Sequence, residues 1–379
     1  MKYKILSNKS KKIKKIFIKY DLKNFCDKRM EKKSKSNNIF NIKIINNLAN
    51  IKYKKDLIKD SFSLTKIDNT FITIDSKDKS SYIVYSTEDI TINCFDFNKE
   101  KIVKSIKNAH NSKVISFRYN YNKNQDKEYV LSVSYDRNIK LWEFPDFNCL
   151  ASIEKAHRES FIFSLCILPF NNDNFILSSS GSDWENIRVW DTRGNKVREI
   201  LDSKERTGFI DTYYCSENDI SYIIIGNYGN VKSYSFQENK LYKNYQDNSE
   251  GKNDHCNFVI YNNEKDKTNV ILIDSCFDGY VRFWDFHSAN LMNKIKCSRN
   301  DYNLRCLCIS YDKKYLFMVC QEEKAYIKII DLYNRKIISC IQVKSSNILN
   351  IKIINHNLYG YCILTKGVLN EHIKLWTSI

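Results

Sequence analysis

From about residue 70 onward one pattern recurs: a β-rich strand ends in a large anchor that is often followed by Asp or Glu. The anchors are Phe95, Trp142, Trp190, Tyr234, Trp284, Ile330 and Trp376. Their successive spacings of 47, 48, 44, 50, 46 and 46 residues sit close to the roughly 40 to 45 residues of a four-stranded propeller blade with slightly long loops. The text between anchors alternates strand-like runs (YIVYS, VISFRY, YVLSVS, FIFSLCIL, FILSSS) with polar breaks, which is the composition and period of β-strands. Seven anchors predict an all-β, seven-bladed β-propeller over residues 61–379, with a basic N-terminal extension over residues 1–60.

Four of the anchor strands, NIKLWEF (138–144), NIRVWDT (186–192), YVRFWDF (280–286) and HIKLWTS (372–378), resemble the third strand of WD-repeats, the Trp-Asp β-propeller family. The match extends beyond the Trp. Asp89, Asp136 and Asp278 each lie six residues before their anchors and Asp183 lies seven before Trp190, while His110, His157 and His255 open the matching blades. The resemblance implies a buried hydrogen-bond chain through a His, a turn Asp, a hydroxyl on the second strand and the Trp. In the second blade that means His110, Ser132, Asp136 and Trp142, with His157, Asp183 and Trp190, and His255, Asp278 and Trp284, as counterparts. The sequence departs from the family pattern at Tyr228 and Tyr234 in blade four, Lys324 and Ile330 in blade six and Asn370 in blade seven, and it carries Asp274 at the hydroxyl place of blade five.

A closed ring needs a strand from the other end of the chain, because an open propeller exposes a sheet edge. Only three residues follow Trp376, so Ser61-Phe62-Ser63-Leu64-Thr65 is expected to supply the missing outer strand of blade seven.

Charge divides the chain into two parts. Residues 1–60 carry 19 Lys/Arg and 5 Asp/Glu, a net of +14 out of +17 for all 379 residues. Such an arm can attach to RNA or an anionic surface by counterion release, or it can be a solvated extension of a Lys-, Asn- and Ile-rich protein. Ile13, Ile16, Phe17 and Tyr20 fall at helical spacing within it. The N-terminus has no uncharged core of signal-peptide length, and no stretch approaches the roughly 18 apolar residues of a membrane helix. The 13 cysteines sit singly in apolar runs, as reduced small hydrophobes do. An intracellular protein, cytoplasmic or nuclear, is expected.

Catalytic chemistry is not expected. His110, Ser132 and Asp136 are the residue types of a hydrolase triad, but the set recurs at blade spacing beside a Trp, whereas a nucleophile is built once. No phosphate loop, GxGxxG or HExxH is present. Asp247-Asn-Ser-Glu-Gly251 lacks the spacing of a calcium loop, and Cys306-Leu-Cys308 lacks a partner CxxC for zinc. No metal and no cofactor are expected.

Partner contact is assigned to four residues. Tyr135 and Phe277 immediately precede the turn Asp of their blades, and Trp184 follows Asp183; the resemblance puts that turn on the narrow, partner-binding face. Exposed aromatics there would form a hot spot. Arg193 ends Trp190-Asp191-Thr192-Arg193, which resembles the Trp-Asp-x-Arg ending of substrate receptors of cullin-RING ubiquitin ligases, and the same residues occur in the diphthamide-pathway methylesterase. The leading expectation is a non-catalytic scaffold that joins proteins of a larger complex, ribonucleoproteins included. The alternatives are a ligase substrate receptor and a propeller hydrolase.

Overall fold

The computed structural model describes residues 52–58 and 71–377, apart from 123–124, 158–160, 172, 182–185, 201–206, 228–229, 248–254, 264–265, 277, 299–303, 344–347, 357–359 and 368–371. The helix expected around Ile13 to Tyr20 and the closing segment Ser61 to Thr65 lie outside these residues.

The described residues form 28 strands in seven sheets of four. After β1 (Lys52–Ile58), blade one contains β2 (Phe71–Asp75), β3 (Ser81–Ser86), β4 (Ile92–Asp96) and β5 (Lys101–Ile106). Blade two contains β6 (Val114–Asn122), β7 (Lys127–Ser134), β8 (Ile139–Phe144) and β9 (Asn148–Ile153). Blade three contains β10 (Ile162–Phe170), β11 (Asp173–Ser180), β12 (Arg188–Trp190) and β13 (Lys196–Glu199). Blade four contains β14 (Thr207–Cys215), β15 (Ile220–Asn227), β16 (Val231–Ser235) and β17 (Lys240–Tyr245). Blade five contains β18 (His255–Asn263), β19 (Asp266–Cys276), β20 (Tyr280–Asp285) and β21 (Leu291–Lys296). Blade six contains β22 (Leu304–Ile309), β23 (Tyr315–Gln321), β24 (Ala325–Asp331) and β25 (Lys336–Val343). Blade seven contains β26 (Ile348–His356), β27 (Gly360–Gly367) and β28 (Ile373–Thr377), and β1 completes its sheet in the order β26-β27-β28-β1.

The closure is therefore made from the expected side of the chain but by an earlier segment. Lys52–Ile58 pairs antiparallel with β28, with Lys52 opposite Thr377 and Tyr53 opposite Trp376. Its composition, KYKKDLI, is that of an outer strand. The outer strands β5 (KIVKSI) and β17 (KLYKNY) are likewise Lys-rich and largely exposed, because only their inner edge and part of one face meet the protein.

All seven anchors occupy one register place, including the atypical Phe95, Tyr234 and Ile330. Each stands beside a β-bulge in the outer strand: Phe95 opposite Ile102, Trp142 opposite Cys149, Trp190 opposite Lys196, Tyr234 opposite Leu241, Trp284 opposite Leu291, Ile330 opposite Ile337, and Trp376 opposite Tyr53 of β1. A bulge in every outer strand sharpens the twist and spoils the edge as a template for another strand. The anchor followed by Asp also has a local cause. Asp96, Asp191, Asp285 and Asp331 accept the backbone N–H of Lys99 (2.9 Å), Arg193 (2.9 Å), Ser288 (2.7 Å) and Asn334 (2.8 Å), which holds the turn into the outer strand.

The core lies between blades. Trp142 packs with Ile72, Val84 and Cys94 of blade one, and on the other face of the same sheet Leu131, Val133 and Leu141 pack with Leu165 and Ile176 of blade three. Phe95, Trp142, Trp190, Tyr234, Trp284 and Ile330 thus face the preceding blade, and the alternating residues face the next.

Candidate functional site

In an antiparallel meander successive turns alternate ends, so the second-to-third-strand turns share one face of the ring with the connections between blades. The blade-two network stands at that face. His110 precedes β6, Asp136 lies in the turn between β7 and β8, and Ser132 and Trp142 project from those strands. The His110 Nε2 to Ser132 Oγ distance is 2.7 Å, His110 Nδ1 to Asp136 Oδ2 is 3.2 Å, and Trp142 Nε1 donates to Ser132 Oγ at 2.8 Å. A neutral imidazole protonated at Nδ1 satisfies every group: Nδ1–H donates to the carboxylate, Nε2 accepts the hydroxyl proton, and the hydroxyl oxygen accepts the indole N–H. Burial lowers the His110 pKa and outweighs the opposing pull of Asp136. Burial alone would raise the Asp136 carboxyl, but hydrogen bonds from His110 and from the backbone N–H groups of Asn111 and Asn138 hold it below its usual value.

Blade three repeats the hydroxyl part, with His157 Nε2 to Ser178 Oγ at 2.9 Å and Trp190 Nε1 to Ser178 Oγ at 2.9 Å. Asp183 lies outside the described residues. In blade seven Trp376 Nε1 donates to Thr365 Oγ1 at 2.8 Å.

Blade five is wired differently. Trp284 Nε1 donates to Asp274 Oδ2 at 2.6 Å. The fully buried guanidinium of Arg282 donates through Nε to Asp247 Oδ2 (2.9 Å) and through Nη2 to Asp278 Oδ2, with Asp274 Oδ1 4.0 Å from Nη1. Burial disfavours the Arg282 charge, but the Asp278 hydrogen bond and the Asp274 carboxylate overcome this and raise its pKa. Asp278, expected to orient a His, thus pairs with Arg282. His255, expected as that His, is the first residue of β18 and stands opposite Cys276. Val114 and Ile162 hold that place in blades two and three, four and five residues beyond their network His. A carboxylate at the hydroxyl place requires a buried countercharge, and Arg282 supplies it.

One recurrent element escaped the sequence reading. A cation two residues before the anchor reaches the loop of its own blade: Lys140 Nζ donates to the Ala109 carbonyl (2.7 Å), Arg188 Nη1 to the Ala156 carbonyl (2.6 Å) and Lys328 Nζ to the Cys297 carbonyl. Ala109 and Ala156 immediately precede the network histidines, so the cation fixes the backbone from which the imidazole hangs. The signal was visible in NIKLWEF, NIRVWDT, YVRFWDF and HIKLWTS.

The four partner-contact residues fare differently. Tyr135 is half-buried against the cluster between blades two and three, and its ring meets Phe161 edge-on at 5.1 Å and 84°. Phe161 is 50% exposed and was not singled out from sequence. Behind it, Gly181 donates its N–H to the Phe161 carbonyl (3.1 Å), and its Cα lies under the Phe163 ring so closely that an added Cβ would sit 2.1 Å from it. Trp184 and Phe277 lie outside the described residues. Arg193 is exposed in the turn between β12 and β13, on the face opposite Tyr135.

A cavity of about 300 Å³ opens among the innermost strands β6, β10 and β14. Arg118 crosses there from β6, donating to the Leu165 carbonyl at 2.7 Å and covering the Phe209 ring at 4.9 Å. Burial raises the Asp211 carboxyl against the opposing charges of Arg118 and Lys352. Among the described residues no group of three or more His, Cys, Asp or Glu is disposed to hold a metal ion, and no helix is long and apolar enough to cross a membrane.

Comparison with protein families matches residues 100–143 and 147–191 to the WD domain, G-beta repeat; these segments span the network strands of blades two and three. No match was found among curated proteins. Two repeats are thus matched directly and seven anchors hold one register place in seven four-stranded sheets, an architecture consistent with the WD-repeat β-propellers.

Proposed function

We propose that this propeller is a non-catalytic scaffold that assembles protein partners on the face carrying Tyr135 and Phe161. The observation that supports the reading most is the half-exposed Phe161 ring, held edge-on by Tyr135 and backed by Gly181 and Phe163. A fixed aromatic at the entrance of a ring loses little side-chain entropy on binding, and truncating such an anchor costs about 2 kcal/mol or more in a typical interface. The buried His110, Ser132 and Asp136 act as structural groups in this reading, since the Ser132 hydroxyl is inaccessible and already accepts the Trp142 indole. The basic residues 1–60 add salt-sensitive attachment to RNA or an anionic surface.

Pull-downs from the native cell with Phe161→Ala, Tyr135→Ala and Arg193→Ala variants test the reading. Loss of partners with the aromatic variants and retention with Arg193→Ala supports the scaffold face. Retention of every partner by a Tyr135→Ala/Phe161→Ala double variant refutes it. Detachment of an adaptor by Arg193→Ala, with the aromatic variants sparing it, assigns the chain to the ligase receptors instead.

A further inference from the structure

Blade seven contains a cation at a place where the other blades have none. Lys366 follows Thr365 on β27, is fully buried, and its Nζ makes no hydrogen bond. The corresponding register places in blades one to six hold Ser86, Val133, Ser179, Gly226, Ser275 and Val319.

Strand alternation fixes its direction. Cys362 and Leu364 share its face of β27, and both pack between blades seven and one with Phe71, Ile83 and Tyr85 and with Leu57 of β1. Tyr85 and Cys362 are the titratable members of that cluster. On β26, Asn350 stands directly opposite Lys366, and Lys352 is the nearest charge on the same face. On β28, Lys374 pairs with Thr365 and faces blade six; Asp56 of β1 stands opposite Lys374 in the register. In blade one the carboxylates at this end are in the β3–β4 turn: Glu88 is exposed, and Asp89 accepts the Thr87 hydroxyl and the Thr91 N–H; Asp75, at the other end of β2, accepts the Ser81 hydroxyl at 2.9 Å. Among the described residues no carboxylate reaches the amine: burial is the single influence on it, and it lowers the pKa from 10.5 to about 7.

We propose that the seam between blades seven and one is a proton-sensitive latch, in which uptake of a proton by Lys366 loosens the closure made by β1. A neutral amine is tolerated among Leu364, Phe71 and Tyr85, whereas an ammonium there has no acceptor, and opening the seam gives it water. The sign follows from linkage. Between about pH 7 and 10.5 the opened chain holds a proton that the closed ring excludes, so closure strengthens as pH rises through that window. Below about pH 7 both states are protonated and the penalty is complete. The full window corresponds to a change on the order of a thousand-fold in the closing constant.

Amide hydrogen exchange of the full-length protein at pH 6.5, 8 and 9, corrected for intrinsic rates, tests this. The opening constant of the β1–β28 pair, read at Tyr53 and Lys55, should fall at least tenfold from pH 6.5 to 9, while that of the β7–β8 pair changes little. Lys366→Met should abolish the difference and protect β1 at pH 6.5. An opening constant for β1 that ignores pH, or a pH response equal in blades two and seven, overturns the proposal, as does a response that persists in Lys366→Met. The contrast between blades in the unmodified protein decides the matter even if that variant fails to fold.

Discussion

Replacing Ser132 by Ala removes one oxygen, and the structure sets the expected cost. That oxygen is the partner of two groups, His110 Nε2 at 2.7 Å and Trp142 Nε1 at 2.8 Å. Ser132, His110 and Trp142 are all buried, so water cannot take its place. A buried polar group left without a partner costs about 1 to 3 kcal/mol, and two are stranded here, so Ser132→Ala should destabilise the ring by about 3 kcal/mol. Urea unfolding gives the value, provided the slope of the transition is unchanged. A double-mutant cycle with His110→Ala should show coupling of at least about 1 kcal/mol, because the first substitution has already removed what the second would lose. Met318→Leu in blade six is the control: it stands at the same register place two residues beyond the partner of Ile330, joins no polar network, and should cost under about 1.5 kcal/mol. A Ser132→Ala shift no larger than that of Met318→Leu would refute the network as a source of stability.

Arg282→Met removes the buried countercharge of Asp274 and one of the two cations on Asp247, which keeps Lys294 at 2.6 Å, and should cost about 3 to 5 kcal/mol in the same urea assay; restoring the midpoint with a second change, Asp274→Ser, would confirm that charge is the cause. Gly181→Ala places a methyl 2.1 Å from the Phe163 ring, so the unfolding free energy should drop by about 1 to 3 kcal/mol, and partner capture should fall as far as in Phe161→Ala. Because burial holds the His110 pKa below 6.5, the unfolded chain binds a proton that the folded ring resists. The stability from this residue is thus complete above pH 6.5 and is lost as pH falls through the lowered value. Unfolding midpoints at pH 8 and 5.5 should therefore differ less for His110→Gln than for the unmodified chain.

The ring was legible because one requirement repeats. Each blade must fill the same gap to its neighbour, so even Phe95, Tyr234 and Ile330 kept the spacing where the Trp was lost. The blade-two network was legible for the same reason, since His110, Ser132, Asp136 and Trp142 hold fixed offsets. The closing strand was misplaced because Lys52–Ile58 reads as part of a basic arm; its kinship with KIVKSI and KLYKNY becomes visible only once outer strands are known to be Lys-rich. His255 stands at the register place that Val114 and Ile162 hold in blades two and three, which a residue type at approximate spacing does not reveal. Arg282 escaped notice because its role follows from Asp274, a substitution that sequence identifies without showing what must neutralise it. Phe161 opens the strand-like run FIFSLCIL in the sequence, whereas in the structure it precedes β10 and its ring is half exposed against Tyr135.

The pairing of β1 with β28 also shapes how the molecule is made. The first six blades are meanders whose neighbouring strands adjoin in sequence, so each can form from contacts of low contact order. The seventh depends on residues roughly 325 positions apart, and loop-closure entropy growing as (3/2)RT ln n puts that pairing about 4 kcal/mol behind a hairpin of four or five residues. A linear array of repeats can start anywhere and fray from either end; a ring has no such graded intermediate at its last step. Until that step, blade one and blade seven expose faces built to be covered, and β28 presents a free edge. The hazard of misassembly in this chain is therefore concentrated in time, in the interval between six finished blades and a closed circle.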